Sequence, residues 1–561
     1  MDKVAAIERR YLAVKNRFVH YRRAGSGPPV VLIHQSPTSS ANFVPLMRQL
    51  ADQFTVFAFD TPGFGESDAL PDKRIRAKHF ADALAETFVE LKLSRSAVFG
   101  TDTGAIIAFE FGCRHPDLVT GLVLHSIPIQ SKAETQDRLK RYAPQFRPRW
   151  DGSHLAGIWT RMRDHRTWYP WHRHSALTRL AVDMPPPELL HERILDFYRA
   201  GNDYRHGYQA AFGFDAIAAA PRLRVPATVL VREGSLFVGA LDRLPKLRPN
   251  QSVRHVGSSE EEFTKAIAAS LKTYAKGRAP RNPRVSPIQG RINRRYVDLP
   301  SGQARVRFNT DAKGRPMVLL HDTPGSSVIV EPLLASLARN RPVYAMDLPG
   351  NGDSDPLPTG RPSIDDYAKS VVHAAEQLGL QQFDLFGRGS GASVAVEVAI
   401  ANPGLVRGLI LERVMLFGHD ERDGLIAHLT PPIEISWDGS HFYRTWLMLR
   451  DQLLYWPWYD RSRDSCIMLN EDVSAEALHR WTVEVLKSYQ TYHLVSQAAL
   501  RYPIERRLPA LTTRTLFCAR ENDPLRGNTL RAAGLVTNSV TQILPENRNA
   551  LRSLFGRFLD L

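Results

Sequence analysis

Short apolar runs, mostly β-branched, punctuate the chain at PVVLIH (29–34), TVFAFD (55–60), SAVFG (96–100) and GLVLH (121–125). They recur at PMVLLH (316–321), PVYAMD (342–347), QFDLFG (382–387) and GLILE (408–412). Helical spacing fills the gaps, as in 76–91 and 103–115. Strand, turn, helix, strand in this rhythm predicts a mostly parallel sheet covered by helices on both faces. The segments YLAVKNRFVHYR and RRYVDLPSGQARVRF precede the first parallel strand of each half and read as leading antiparallel strands. After about 125 and 412 the alternation stops, and about 100 residues rich in Trp, Tyr, Arg and His follow. Helical spacing returns there at 187–200 and 473–489, and strands resume at ATVLV (227–231) and RTLFCA (514–519). Such an insertion, above the end of a sheet where loops gather, predicts a helical cap over about 127–222 and again over about 414–508.

The two halves are copies of one another. VVLIHQSPTSS (30–40) returns as MVLLHDTPGSS (317–327), FDTPGFGESD (59–68) as MDLPGNGDSD (346–355), and VFGTDTGAIIAFE (98–110) as LFGRGSGASVAVE (385–397), each 287 positions on. The register runs through DGSH at 151–154 and 438–441, then Arg163-Asp164 and Arg450-Asp451. After one inserted residue Tyr204 matches Tyr492 and Glu233 matches Glu521. A register held this long predicts two domains of one fold, 1–275 and 294–561, joined by a linker at 276–293.

Composition adds little to this picture, and charge adds one detail. At 561 residues the chain exceeds one hydrophobic core, and 43% hydrophobic with 23% charged residues is an ordinary globular balance. The formal charge of +15 invites a nucleic-acid reading. Seven bases without an acid (Lys276, Arg278, Arg281, Arg284, Arg291, Arg294 and Arg295) supply nearly half of that excess, among Pro280, Pro283 and Pro287. Bases gathered in a linker are not the contiguous basic face that nucleic acid needs, so no nucleic-acid partner is expected. No apolar run approaches 18 residues and the N-terminus does not read as a signal peptide, so no membrane partner is expected. Cys113, Cys466 and Cys518 lie far apart, make no metal spacing, and read as buried small hydrophobes in a reducing, cytoplasmic setting.

The order of an HxxP-like loop, D-x-P-G-x-G-x-S-D, and a strand–G-x-x-x-G–helix elbow resembles the capped α/β-hydrolase superfamily, in the branch of epoxide hydrolases, haloalkane dehalogenases and related esterases. The resemblance covers nearly the whole chain, twice. It implies an oxyanion loop at His34-Gln35 and His321-Asp322, a nucleophile at the elbow tip, an acid after the post-cap strand and a histidine after the last strand. The DxPGxGxSD block reads as scaffold.

Against that pattern the catalytic positions fit unevenly. Gly100-Thr101-Asp102-Thr103-Gly104 puts Asp102 at the first elbow tip, with the amides of Thr103 and Gln35 as oxyanion donors. A carboxylate nucleophile and a helix cap both suit Asp102. In the second half the register puts Gly389 at the tip. Ser390 as nucleophile would place Arg388 where a small residue is needed, so this half reads as catalytically diverged. Asp523 fits the family acid, and its counterpart in the first half is Ser235. Neither half offers a histidine after its last strand: His255 falls within the presumed strand and matches Gln542. Asp102 without a base can form an ester but has nothing to direct water onto it.

Other groups are therefore candidates. His125 ends the strand before the cap, with Glu412 as its counterpart; His154 and His441 match in the DGSH segments. Asp102, His125 and His154 together predict a non-classical site in the first half, and Asp322, Gly389, Ser390, His441 and Asp523 are the second half's equivalents. The pairs Arg163-Asp164 and Arg450-Asp451 read as local salt bridges, and the blocks TWYPWHRHS and LYWPWYDRS as cap core or ligand lining. No metal or cofactor motif stands out, so no cofactor is expected. The leading reading is an enzyme acting on a small organic substrate through its first domain. The rivals are a lyase-type, non-hydrolytic enzyme and a non-catalytic protein that binds a small molecule or a partner. A homo-oligomer stays open.

Overall fold

The computed structural model describes residues 6–71, 74–235, 243, 247–283, 285–468 and 473–560. Leu236, next to Ser235, and Arg284 of the basic stretch lie outside them. The chain forms two compact units, one of Met1–Arg147 with Ile158–Ser286, the other of Pro148–Gly157 with Pro287–Leu561.

The first unit is built on eight strands: β1 (Glu8–Val14), β2 (Arg17–Ala24), β3 (Pro29–Ile33), β4 (Thr55–Phe59), β5 (Ser96–Thr101), β6 (Val119–His125), β7 (Ala227–Arg232) and β8 (Gln251–Val256). They lie in the order β1-β2-β4-β3-β5-β6-β7-β8, with β1 and β2 antiparallel and the rest parallel. The second unit repeats the order with β9 (Asn293–Leu299), β10 (Gly302–Asn309), β11 (Met317–Leu320), β12 (Val343–Met346), β13 (Phe383–Arg388), β14 (Val406–Glu412), β15 (Thr515–Ala519) and β16 (Ser539–Ile543). The central strands are apolar along their whole length because helices cover both faces; every residue of β3 and β4 is buried.

Five helices (Lys132–Arg141, Ser153–Thr167, Pro187–Ala200, Tyr204–Phe212 and Ala216–Ala219) stand between β6 and β7. Five more (His419–His428, Ser440–Leu454, Ala475–Leu486, Leu494–Arg501 and Ile504–Arg507) stand between β14 and β15. Among the described residues no helix is long and apolar enough to cross a membrane.

Some local expectations change. Asp164 lies 3.6 Å from His174, and Asp451 pairs with Arg461 at 2.7 Å, a residue ten positions on. Consecutive helical residues point about 100° apart, so neighbours in sequence are poor partners. Cys518 is buried as expected, whereas Cys466 is exposed. In the stretch between the units' sheets, Asn282 is pinned to the first unit by Glu8 and Arg23 (both 2.8 Å).

Candidate functional site

Parallel pairing lines up the functional loops of the first unit. Ile33 pairs with Gly100 and Thr101 with His125, so the loop after β3, the turn after β5 and the end of β6 meet at one edge of the sheet. The turn from β5 into the helix Thr103–Arg114 is cramped. A Cβ on Gly104 would stand 2.2 Å from the Ile33 carbonyl oxygen, and one on Gly100 would stand 2.4 Å from that of Gly104. Asp102 is held between them at φ 50° and ψ −116°, a conformation costly for a residue with a side chain. Its carboxylate does not cap the helix. That observation removes the capping role.

The carboxylate of Asp102 is half-buried. Ser126 Oγ donates to its Oδ1 at 2.6 Å, and Thr101 Oγ1 lies 3.4 Å from its Oδ2. Burial pushes its pKa up to about 6, against the pull of those two hydroxyls. Ser126 itself sits at φ 59°, which turns the chain after β6 and aims the hydroxyl back at the elbow.

The Asp102 amide donates to the His125 carbonyl at 3.0 Å, but among the described residues the His125 ring makes no hydrogen bond to the Asp102 carboxylate; His125 Nδ1 instead shares a 2.9 Å hydrogen bond with Thr101 Oγ1. Its ring packs on Phe263 at 4.5 Å, and its Nε2 is buried without a hydrogen-bond partner. Burial, then the charge of Arg232, holds its pKa down at about 4, so it is neutral at physiological pH. His154 lies in the segment Pro148–Gly157 of the other unit, 3.2 Å from His479 Nδ1. Its Nδ1 accepts the Arg149 amide, as His441 Nδ1 accepts that of Ser436, both at 3.1 Å. The matched histidines hold matched turns.

The loop after β3 is stapled in the same duplicated way. His34 Nε2 accepts the Thr61 amide at 2.9 Å and His321 Nε2 that of Leu348 at 3.0 Å. Thr103 Oγ1 accepts the Ser36 amide at 2.6 Å, which ties the loop to the elbow. Among the described residues the amides of Gln35 and Thr103 donate to no protein acceptor, and Gln35 Oε1 is buried without a partner. The post-insertion loop contributes less: the Ser235 amide donates to the Arg232 carbonyl, Glu233 is exposed, and His255 is exposed on the edge strand β8.

Three tyrosines of the insertion complete the surroundings; the sequence reading held Tyr169 within the block TWYPWHRHS and missed Tyr142 and Tyr208. Tyr142, Tyr169 and Tyr208 all feel the Asp102 charge. Tyr208 Oη donates to the Ser36 carbonyl at 2.9 Å, and Tyr142 Oη lies 3.2 Å from His165 Nδ1. His165 is held neutral by burial, then by Arg161 and His172, and its Nε2 has no partner. Of the first aromatic block Tyr169 lies near the site, while Trp171 stacks beneath Arg161 (4.7 Å).

The equivalent place in the second unit is filled differently. Gly389 keeps the elbow conformation at φ 55°, and the space a side chain would take is occupied by Asp322: a Cβ there would stand 1.9 Å from its Oδ1. That oxygen accepts the amides of Ser390 (3.1 Å) and Thr323 (2.8 Å). Ser390 Oγ bonds Thr323 Oγ1 at 2.8 Å and is fully buried. Glu412, the counterpart of His125, lies 3.9 Å from Arg388, and Asp523 lies 3.5 Å from Arg413, the counterpart of Ser126. Above them is a cavity of about 250 Å³ walled in part by Leu429, Leu453, Trp456 and Trp481.

The family model described as alpha/beta hydrolase fold matches residues 28–169 and 315–431. Among curated proteins the chain is similar to 2-(acetamidomethylene)succinate hydrolase of Mesorhizobium japonicum, 32% identical over 122 residues, which is 22% of this chain and 44% of that protein. It is also similar to soluble epoxide hydrolase of Corynebacterium sp., 37% identical over 116 residues, 20% of this chain and 40% of that protein. The chain thus spans less than half the length of these relatives. Among solved structures, that of E-2-(acetamidomethylene)succinate hydrolase matches with a TM-score of 0.35 and 21% identity, over 48% of this chain and 100% of the other. The enol-lactonase of Burkholderia xenovorans LB400 matches with a TM-score of 0.37 and 19% identity, over 47% and 98%.

Proposed function

Taking as premise that the chain is a tandem pair of α/β-hydrolase-superfamily domains, we propose that the first is an enzyme domain in which Asp102 transfers protons on a small organic carbonyl compound. The second is catalytically diverged. The observation that carries this reading is the state of Asp102: a carboxylate at the elbow tip, its pKa raised to about 6, with no histidine bonded to that carboxylate among the described residues. A pKa near the working pH suits a general base, which must hold the proton it takes and then release it. Oδ1 is engaged by Ser126, which leaves Oδ2 to take a proton from the carbon next to the carbonyl. The C–H electron pair moves into the enolate, and its oxygen accepts the amides of Thr103 and Gln35. Return of the proton to another position, or loss of a β leaving group, completes an isomerase- or lyase-type turnover. The insertion, with Tyr142, Tyr169 and Tyr208, serves as the cap over the substrate.

Attack by Asp102 on an ester, epoxide or haloalkane is the rival chemistry. It would end in a covalent ester, and no base stands ready to hydrolyse it. The missing histidine also suits a cap cleft that binds without turnover. The test compares wild type with Asp102→Asn on esters, epoxides, haloalkanes, lactones and β-hydroxy ketones, with intact-protein mass spectrometry after each incubation. The expected result is turnover of a carbonyl substrate that falls about a thousandfold in the variant, with no mass adduct on wild type. A lasting adduct mapped to Asp102 contradicts proton transfer, and saturable binding without turnover of any substrate favours the binding-only protein.

A further inference from the structure

The opposite end of the second sheet carries an unrelated cluster. Arg315 and Arg341 each lie two residues before β11 and β12, Arg407 is the second residue of β14, and Arg514 immediately precedes β15. Arg552 joins them from the helix Arg548–Leu559, and the five arginines line one cleft of about 830 Å³. All four strand positions are at amino ends, whereas the elbow and its loops lie at carboxyl ends, so the cleft shares nothing with the site described above.

Its charges do not cancel. Asp384 is buried and takes Arg315 (2.9 Å) and Arg341 (2.7 Å), and Arg341 also reaches Asp560 (3.0 Å). Arg514 donates to the Phe558 carbonyl at 3.0 Å and lies over the Phe558 ring. Among the described residues Arg407, Arg514 and Arg552 have no carboxylate partner. Three guanidiniums around one concave space repel one another, an arrangement that an anion of matching charge relieves.

The first unit is an internal control. In the shared register the five arginines correspond to Pro28, Phe54, Thr120, Pro226 and Thr264, none of them basic. The fold therefore needs no arginine at these positions; one copy of the duplication has them all.

We propose that this cleft binds a di- or triphosphate group, with Arg407, Arg514 and Arg552 as its primary donors. Planar guanidiniums fork onto phosphate oxygens, and a linear chain of phosphates meets several at once. The volume admits a nucleotide-sized molecule, so the phosphates are free or carried on one.

The test is isothermal titration of the full chain with sodium tripolyphosphate, pyrophosphate and ATP at 50 mM and 200 mM salt. The expected result is one site per chain for tripolyphosphate, weakened at the higher salt. Arg407→Ala/Arg552→Ala should weaken it at least tenfold with an unchanged melting temperature, since neither residue makes an ion pair that supports the fold. Lys276→Ala/Arg278→Ala, in the basic stretch outside the cleft, should leave it unchanged. Equal affinity for tripolyphosphate and ATP identifies the phosphate chain as what is recognised. Equal loss in both double variants, unchanged binding in the cleft variant, or binding of ATP without tripolyphosphate would each overturn the proposal.

Discussion

The two elbows of this chain have the same backbone and opposite contents. Asp102 and Gly389 both stand at a φ near 50–55°, between glycines that cannot carry a side chain. In the first unit the tip carries the carboxylate, and among the described residues the amides of Gln35 and Thr103 beside it have no protein acceptor. In the second unit the tip is bare, and the carboxylate comes from the loop residue Asp322 and sits on the amides of Ser390 and Thr323. An acidic group thus occupies both turns, but the first amide of the elbow helix is open at Thr103 and taken at Ser390. The neighbours changed in step: the neutral Thr101–His125 hydrogen bond became Arg388 beside Glu412, and Ser126 became Arg413 beside Asp523.

The largest effects should come from the backbone that both elbows share. Gly104→Ala drives a methyl group into the β3 carbonyl; the expected result is a loss of several kcal/mol of stability, on the scale of severe overpacking, seen as a collapsed denaturation midpoint. Next is an exchange of contents. Gly389→Asp alone should destabilise the second unit, because its side chain enters the space of Asp322. Adding Asp322→Gln should recover most of that loss, and a double-mutant cycle of chemical denaturation reads the coupling. Simple additivity would mean that Asp322 does not fill the elbow.

What the sequence disclosed, and what it hid, follows the same division. The strands, the helical insertions and the duplicated register were all legible, because apolar periodicity and repetition are properties of the chain itself. Residues matched between halves turned out to hold architecture: His34 and His321 staple loops, and His154 and His441 fix turns. His154, a candidate for the site on sequence grounds, bonds the Arg149 amide and His479. Ser126 was invisible because its role depends on a positive φ after β6, which no pattern of polarity announces. Tyr169 was hidden by an ambiguity, since an aromatic block lines a pocket or fills a core with equal ease, and Tyr142 and Tyr208 lie outside both blocks. The plug formed by Asp322 required two loops to be seen together.

Smaller effects sharpen the electrostatic side. Ser126→Ala removes a hydrogen bond that favours the Asp102 anion, so the acid limb of the pH–rate profile should move above about 6 and the rate should drop on the order of tenfold. Asp102→Asn should raise stability at pH 7.5. The raised pKa means the folded state holds its proton more tightly than the unfolded chain, so Asp102 costs stability above pH 6. That cost fades as pH falls towards the unfolded carboxylate value near 4. The gain in the variant should shrink accordingly between pH 6 and 4 in thermal melts. The His154–His479 pair, held by burial at about 4 and about 3, tests the second unit in the same way. Both rings are neutral when folded, whereas the unfolded chain takes up protons below about 6.5. Stability of the second unit is therefore full above pH 6.5 and falls as the pH drops towards 4, and His479→Gln should flatten that slope.

The central claim is that Asp102 moves protons on a carbonyl compound. Its most direct test is deuterium wash-in from D2O next to the carbonyl of a panel of ketones and lactones, followed by NMR. Wild type should exchange a substrate with an acid limb near 6, Gly389→Asp/Asp322→Gln should match it, and Asp102→Asn should be silent. Exchange that persists at the wild-type rate in Asp102→Asn would contradict the account.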